Sequence, residues 1–347
     1  MAQEKTMKAA RWHPDTKKVQ VDNIPIPKPD NDLMLVRTIG SGLCHSEMLI
    51  LDGTFPLPQP MTLGHEAVGE VVELGSDVSA FKVGDKVGFL NGLRSCWECA
   101  GCKIHYGFCQ SKKFLMQGFS TADGFLAEYC VVDPNAAFEL PNGIDIVKSA
   151  PLCCAGITAY NGVKKADLQS GQWLAVIGCG GLGQLALRYA KALGLKVIGI
   201  DINDEVLATA KKAGIEHTIN SRSTPDVAEE IQRLAGSLAD AVVVYTAVKA
   251  GFDLAPKLIK VGGRLVVVGC PPGEISFNPI ELALGKYSLH GANNHGTPER
   301  LRKCADFAAA NKIESPVQLF KIDEIEEMLA MMEEGRMAGK RLVVDFS

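Results

Sequence analysis

The chain has 347 residues, 47% hydrophobic and 22% charged, a composition that suits two folded domains and excludes a disordered chain. Its formal net charge of −4 supplies no basic field for nucleic acid or an anionic membrane surface. No apolar run of roughly 18 residues occurs, and Met1–Met7 has no apolar core of an export signal, so no membrane partner is expected. Eleven cysteines in such a chain point to reduced thiols, metal ligation and a cytoplasmic setting.

Up to about residue 155 the chain is broken by prolines and glycines, with short β-rich pieces such as Val68–Leu74 and Ala127–Val132. That texture predicts an irregular, mostly β region. From Trp173 strands and helices alternate. Trp173–Ile177, Lys196–Ile200, Ala241–Tyr245 and Arg264–Val268 are strand-like, while Gly183–Leu193, Asp204–Ala213 and Ala250–Lys260 are helical. This succession predicts a parallel sheet with crossover helices. Pro298–Ala310 and Glu324–Glu334 have amphipathic helical patterns, and Leu342–Phe346 is a closing strand.

Cys96, Cys99, Cys102 and Cys109 form a Cys-x2-Cys-x2-Cys-x6-Cys array. Two-residue gaps let a tight turn aim successive thiolates at one tetrahedral ion, which zinc takes at about 2.3 Å. Lys103, His105 and Lys112 make the segment a loop, not a buried core. An iron–sulfur run would end Cys-x3-Cys-Pro, whereas here the last gap is six and Gln110 follows. Four sulfurs close the site, so the expected zinc is structural.

Gly178-Cys179-Gly180-Gly181-Leu182-Gly183 joins the first strand of the second half to its helix. Gly178, Gly180 and Gly183 in that place permit a tight turn and close backbone approach to a pyrophosphate, with Gly181 and Leu182 opening the helix toward it. The next strand ends in Asp201, which suits the ribose hydroxyls of NAD and repels a 2′-phosphate; the alternative is a strand-end or helix-capping aspartate. No Arg occupies 202–206, so NAD(H) is expected in place of NADP(H).

Three further ligand types stand alone: Cys44, His65 and Cys154. Spacing does not show that they converge, and each could equally be a buried thiol or a hydrogen-bonded core histidine. Together, however, Gly64-His65-Glu66 with Gly69, Gly84-Asp85-Lys86-Val87-Gly88, the cysteine array, Cys154-Ala155-Gly156-Ile157-Thr158-Ala159-Tyr160 and the glycine turn occur in one order. The chain resembles the zinc-containing medium-chain alcohol dehydrogenases over essentially its whole length, and their shorter, yeast-like branch most.

The resemblance implies an α/β fold: a doubly wound Rossmann domain, 156–291, inserted in a mostly β, GroES-like catalytic domain, 1–155 and 292–347. It implies two zinc ions per chain. Cys44, His65 and Cys154 would bind the catalytic one, with Glu66 reaching it when the open position exchanges. Zinc as a Lewis acid would lower the pKa of an alcohol so that its carbon gives hydride to NAD, or polarise a carbonyl for NADH. Ser46 would hydrogen-bond the reacting oxygen. His45 and Arg341 would meet the cofactor phosphates, and Thr158 and Val268 the nicotinamide. Glu47 would orient ligands. Substrates would be small primary or secondary alcohols, aldehydes or ketones, and the enzyme a homo-oligomer, dimers joined through Gly285–Gly291 and paired into tetramers.

The chain also departs from the family. Leu49 stands where many relatives end a proton relay in histidine, leaving Asp52 or water for that task or favouring reduction over oxidation. The last cysteine gap is one residue short, Asn91 replaces a frequent tryptophan, and Val206 a frequent lysine. With Phe55, Asn91 suggests a wider, partly polar pocket for substrates bulkier than ethanol. The alternatives are a polyol dehydrogenase, which commonly has a carboxylate in place of the Cys154 thiolate, and a non-enzymatic NAD(H) sensor carrying a zinc ribbon.

Overall fold

The structure is a computed structural model that describes residues 5–294 and 297–347. The segment inspected for an export signal begins outside these residues, at Met1. Two compact units divide the chain. One comprises Met1–Ala155, His295–Met337 and Arg341–Ser347, the other Gly156–Asn294 and Ala338–Lys340. The second boundary thus falls at 294/295, not 291/292. Residues 338–340 join the second unit because Thr209 Oγ1 donates to Ala338 O at 3.0 Å and Gly339 packs on Gln184.

The first unit is built on a twisted sheet in which Ala137–Glu139, Lys86–Phe89, Glu66–Leu74, Met34–Leu43, Arg341–Asp345 and Val317–Phe320 lie side by side, with Tyr129–Val132 also pairing Met34–Leu43. Alternation puts Met34 and Val36 inward against Val71, Val87, Phe89, Phe125 and Val132. The chain end closes the sheet: Leu342 pairs with Leu43 antiparallel, and Val317 with Arg341 in parallel. This long-range pairing places Arg341 beside the residues near 42–66. The strand expected at Ala127 starts only at Tyr129.

In the second unit six parallel strands run in the order His217–Asn220, Lys196–Asp201, Trp173–Ile177, Ala239–Val244, Ile259–Val267, Tyr287–Gly291. The order reverses beside Trp173–Ile177, and an open α/β sheet binds its ligand where the order reverses, beyond the strand C-termini. Strands buried on both faces explain the continuous apolar runs, as in fully buried Ala239–Val244. Helices Gly181–Ala192, Asp204–Lys212 and Val227–Ala235 connect them. The last, with its strand His217–Asn220, was not legible as an element. It starts at Asp226, which accepts the Ala228 and Glu229 N–H groups, and stops at left-handed Gly236. The helix expected over 250–260 ends after Leu254 in a short 3₁₀ turn carrying Pro256, and Ile259 already begins a strand. Among the described residues no helix is long and apolar enough to cross a membrane.

Candidate active site

Cys44 ends the strand Met34–Leu43, His65 precedes the strand Glu66–Leu74, and Cys154 ends the 3₁₀ turn Ala150–Cys153. Folding brings these three segments together, and their ligand atoms lie within 4.8 Å of one another, all buried. His65 Nε2 faces the sulfurs, 3.2 Å from Cys154 Sγ. Its Nδ1 lies 2.6 Å from Glu47 Oε1. A carboxylate only accepts, so Nδ1 carries the proton and Nε2 presents its lone pair inward. Glu47 also accepts the Cys44 N–H at 2.9 Å, which ties ligand and orienting group into one turn. Ser46 Oγ lies 3.7 Å from Cys44 Sγ.

The electrostatics are those of a cation site. A hydrogen bond from Cys154 holds the Cys44 thiol well below its ordinary value, against the effect of burial and with help from Arg341 and His65. The same bond, with burial, pushes Cys154 up. Burial works against charge on His65, but Glu47 and Cys44 outweigh it and raise its pKa. Two thiols and an imidazole nitrogen in a buried ring are the donor set of zinc, and three protein ligands leave a tetrahedral ion one open position.

Glu66 stands behind this trio and not in it. Its Oε1 pairs with Arg341 Nη2, and Oε2 lies 3.4 Å from the Ala155 N–H. Both partners are buried. Burial pushes Glu66 up to about 7, with Arg341 and His65 opposing and Cys44 adding to the rise. Gly42 makes the room: a β-carbon there would lie 2.1 Å from Glu66 Oε1. The resemblance has Glu66 reaching the metal when the open position exchanges; here its carboxylate pairs with Arg341. Arg341 likewise is spent on Glu66 through Nη2, while its buried Nε has no partner among the described residues. Neither Glu47 nor Arg341 is the solvated surface charge their types would suggest.

Cys96, Cys99, Cys102 and Cys109 form a second cluster with ligand atoms within 4.8 Å. Backbone N–H groups of Cys102 and Gln110 point at Cys99 Sγ and lower its thiol to about 6. The Cys96 and Ser111 N–H groups do the same for Cys109 and win against burial. A 3₁₀ turn, Tyr106–Phe108, delivers Cys109 into the cluster in spite of the shortened gap. Tyr106 O–H donates to Asn91 Oδ1 at 2.6 Å, and Asn91 Nδ2 donates to Gln117 O at 2.8 Å. Asn91 therefore anchors the loop. Its polar atoms are not available to line a pocket, which corrects the partly polar pocket expected from the sequence.

In the second unit Gly178 has φ +86°, and a β-carbon there would lie 2.7 Å from Thr246 N. One at Gly183 would lie 2.0 Å from Gly178 O, whereas Gly180 faces open space. Gly180 caps the helix without a side chain, so its first N–H groups, from Gly181 and Leu182 onward, are available to phosphate oxygens. Asp201 ends the adjacent strand. It accepts the Cys179 N–H at 2.7 Å and those of Ile202 and Asn203 at 2.7 and 3.0 Å. The helix cap is Asn203, not Asp201. Thr158 and Val268 are buried in this unit, and His45 is exposed in the first.

Neither Phe119 nor the burial of Glu47 was legible beforehand. Phe119 stands edge-on to the His65 ring, centroids 6.0 Å apart.

Comparison with known proteins gives the same architecture a family. Residues 30–142 match the alcohol dehydrogenase GroES-like domain, and residues 181–310 match the zinc-binding dehydrogenase domain. An alcohol dehydrogenase of Moraxella sp. is 34% identical over 344 residues, covering 98% of this chain and 100% of the relative. One from Rhizobium meliloti is 34% identical over 345 residues, 99% of each. The crystal structure of an alcohol dehydrogenase from Aeropyrum pernix superposes with a TM-score of 0.86 at 30% identity, over 97% of this chain and 99% of that one. The chain belongs to the zinc-containing medium-chain alcohol dehydrogenases.

Proposed function

We propose that the protein is an NAD(H)-dependent alcohol dehydrogenase carrying two zinc ions per chain, one held by Cys44, His65 and Cys154 and one by the cysteine quartet. The observation that carries this reading is the convergence of three ligands, not four, in one buried ring. Cys44, His65 and Cys154 would hold a zinc ion that supplies Lewis acidity toward an alcohol or carbonyl oxygen, and a bound NAD(H) would supply the hydride acceptor or donor. Glu47 holds the His65 tautomer that this requires. The Ser46 hydroxyl, beside Cys44, is placed to hydrogen-bond the reacting oxygen and pass on its proton. Leu49 does not carry that proton further. Asp52, its pKa lowered by the Thr54 N–H and hydroxyl, is a poor acceptor near neutral pH, so water is the exit. Asp201 supports NAD(H) over NADP(H), and Gly178, Gly180 and Gly183 support a pyrophosphate at the helix opened by Gly181 and Leu182. His45, Thr158 and Val268 complete the cofactor contacts in this reading, while Arg341 stays with Glu66. None of the eleven cysteines is in a disulfide, which suits a reducing cytoplasm. The exposed sheet edge at Tyr287–Gly291 suits a homo-oligomer, a dimer or a tetramer.

The test is a zinc count with NADH and NADPH oxidation followed side by side across alcohols, aldehydes and ketones. Two zincs per chain and NADH-linked turnover that chelation abolishes are expected. Silence across the panel at full zinc content would instead favour the NAD(H)-sensing alternative, and a count of one would remove a site.

A further inference from the structure

We infer that the second unit carries a further small-molecule site, at the N-terminal edge of its parallel sheet, for an aromatic monocarboxylate. It is independent of the zinc centre and of the dehydrogenase reading.

Parallel strands all start on one edge of a sheet, so crossover helices return the chain to that edge before each new strand. Trp173, Lys196 and His217 each begin a strand. Trp173 pairs with Lys196, and Ile198 with His217, so side-chain alternation puts Trp173, Lys196 and His217 on one face. Beside them lies a cavity of about 420 Å³, a size that takes a drug-like ligand. Leu195, Val197 and Ile215 line it as buried apolar groups, and Leu234 of the helix Val227–Ala235 adds a half-buried one. Lys191, Lys196 and Glu216 are exposed and mark its mouth.

The Trp173 and His217 rings are tilted at 52°, centroids 5.4 Å apart. Lys196 Nζ stands 5.4 Å from the centre of the Trp173 ring and pairs with no carboxylate among the described residues. An ammonium held on an aromatic face without a counter-ion keeps its donors for an incoming anion. Lys191 is pinned by backbone: its Nζ donates to Gly214 O at 2.9 Å. Gly214, φ +77°, leaves room for it, since a β-carbon there would lie 2.6 Å from that nitrogen. Against these two ammonium groups the lining sets one carboxylate, Glu216, which forms no ion pair with either. The cavity therefore keeps a surplus positive charge. Two rings, an apolar lining and a cation without a partner select a molecule with an aromatic body and one anionic end.

The site does not overlap the glycine turn. Trp173–Ile177 spans five residues, so Gly178 lies about 16 Å from Trp173, at the opposite edge of the sheet. Cofactor and carboxylate have separate places in this unit.

The experiment is calorimetric titration of the zinc-loaded protein with 2-naphthoate at saturating NADH. We expect saturable binding, weakened about fivefold by Lys196→Gln and kept in Lys196→Arg, which retains the charge. Decahydro-2-naphthoate, with the same charge and no aromatic ring, should bind about two- to tenfold more weakly. His217→Ala should narrow that difference. Binding at the zinc would be indifferent to Lys196. Absence of saturation, an affinity unchanged in Lys196→Gln, or equal binding of the saturated acid overturns the inference. The readout is binding and not turnover, so failure of the dehydrogenase reading would leave the result unaffected.

Discussion

Glu47 Oε1 lies 2.6 Å from His65 Nδ1, while its Oε2 accepts the N–H of Cys44, so one buried carboxylate governs two of the three candidate zinc ligands. A carboxylate behind a ligating imidazole raises the basicity of the nitrogen that faces the metal, and its loss typically costs 10–100-fold in affinity. Glu47→Gln keeps the size and removes the charge. Its zinc affinity, read by competition with a chromogenic chelator, should fall by about 10–100-fold. The four-cysteine site should retain its metal. An unchanged affinity would mean that Glu47 serves only as a cap for its turn.

Gly42 and Glu66 face each other so closely that any side chain at 42 collides with the carboxylate. Gly42→Ala should displace Glu66 from Arg341 and destabilise the first unit by about 1–3 kcal/mol, the usual cost of overpacking a filled core. Thermal unfolding of the zinc-loaded protein reads this as a lower Tm. A variant as stable as the wild type would show that Glu66 has another place to go.

The quartet site is closed and performs no chemistry, so its metal and its turnover should separate. Cys109→Ser should reduce zinc from two ions per chain to one by elemental analysis. Initial rates at low temperature should be largely kept, and thermal inactivation should become faster as the loop loses its clamp. Retention of both ions would show that Cys109, in spite of its place within the cluster, is dispensable.

Asp240 ties three strands of the parallel sheet at their N-terminal ends. It accepts the Trp173 N–H at 2.7 Å and Gln172 Nε2 at 3.1 Å, and it pairs with Lys260. Burial opposes its charge, but Lys260 and the Trp173 N–H win and lower its pKa from 3.8. A carboxylate lowered in the folded state stabilises above its unfolded pKa, and that stabilisation disappears as pH falls through the folded value. Wild type should therefore exceed Asp240→Asn by about 1–2 kcal/mol at neutral pH. The gap should close below pH 3.8. Hydrogen exchange of the Trp173–Ile177 amides at several pH values measures it; a gap constant down to pH 2 would refute the assignment.

Elements whose pattern is local were legible. Trp173–Ile177 and Pro298–Ala310 have the bounds their residues predict, because an apolar run between polar breaks and a Pro-led amphipathic stretch declare themselves. Where two local signals competed, the reading failed: helical propensity over 250–260 hid the stop imposed by Pro256 and the strand beginning at Ile259. His217–Asn220 was too short for a period to emerge.

The candidate site divides in the same way. The cysteine quartet was legible because turns spanning two and six residues hold its members together. The glycine turn was legible because its requirements, close approach and positive φ at Gly178, are satisfied by neighbours in the chain. No spacing could reveal that Cys44, His65 and Cys154 meet, that Glu47 and Arg341 are buried, or that Phe119 stands edge-on to His65. These depend on pairing between segments far apart in the chain, as in Leu342 with Leu43, and that pairing is decided by a shared core. Spacing along the chain determined which residues could serve as ligands; only the folded sheet decided which of them meet, since burial energy, not chain proximity, brings distant segments together.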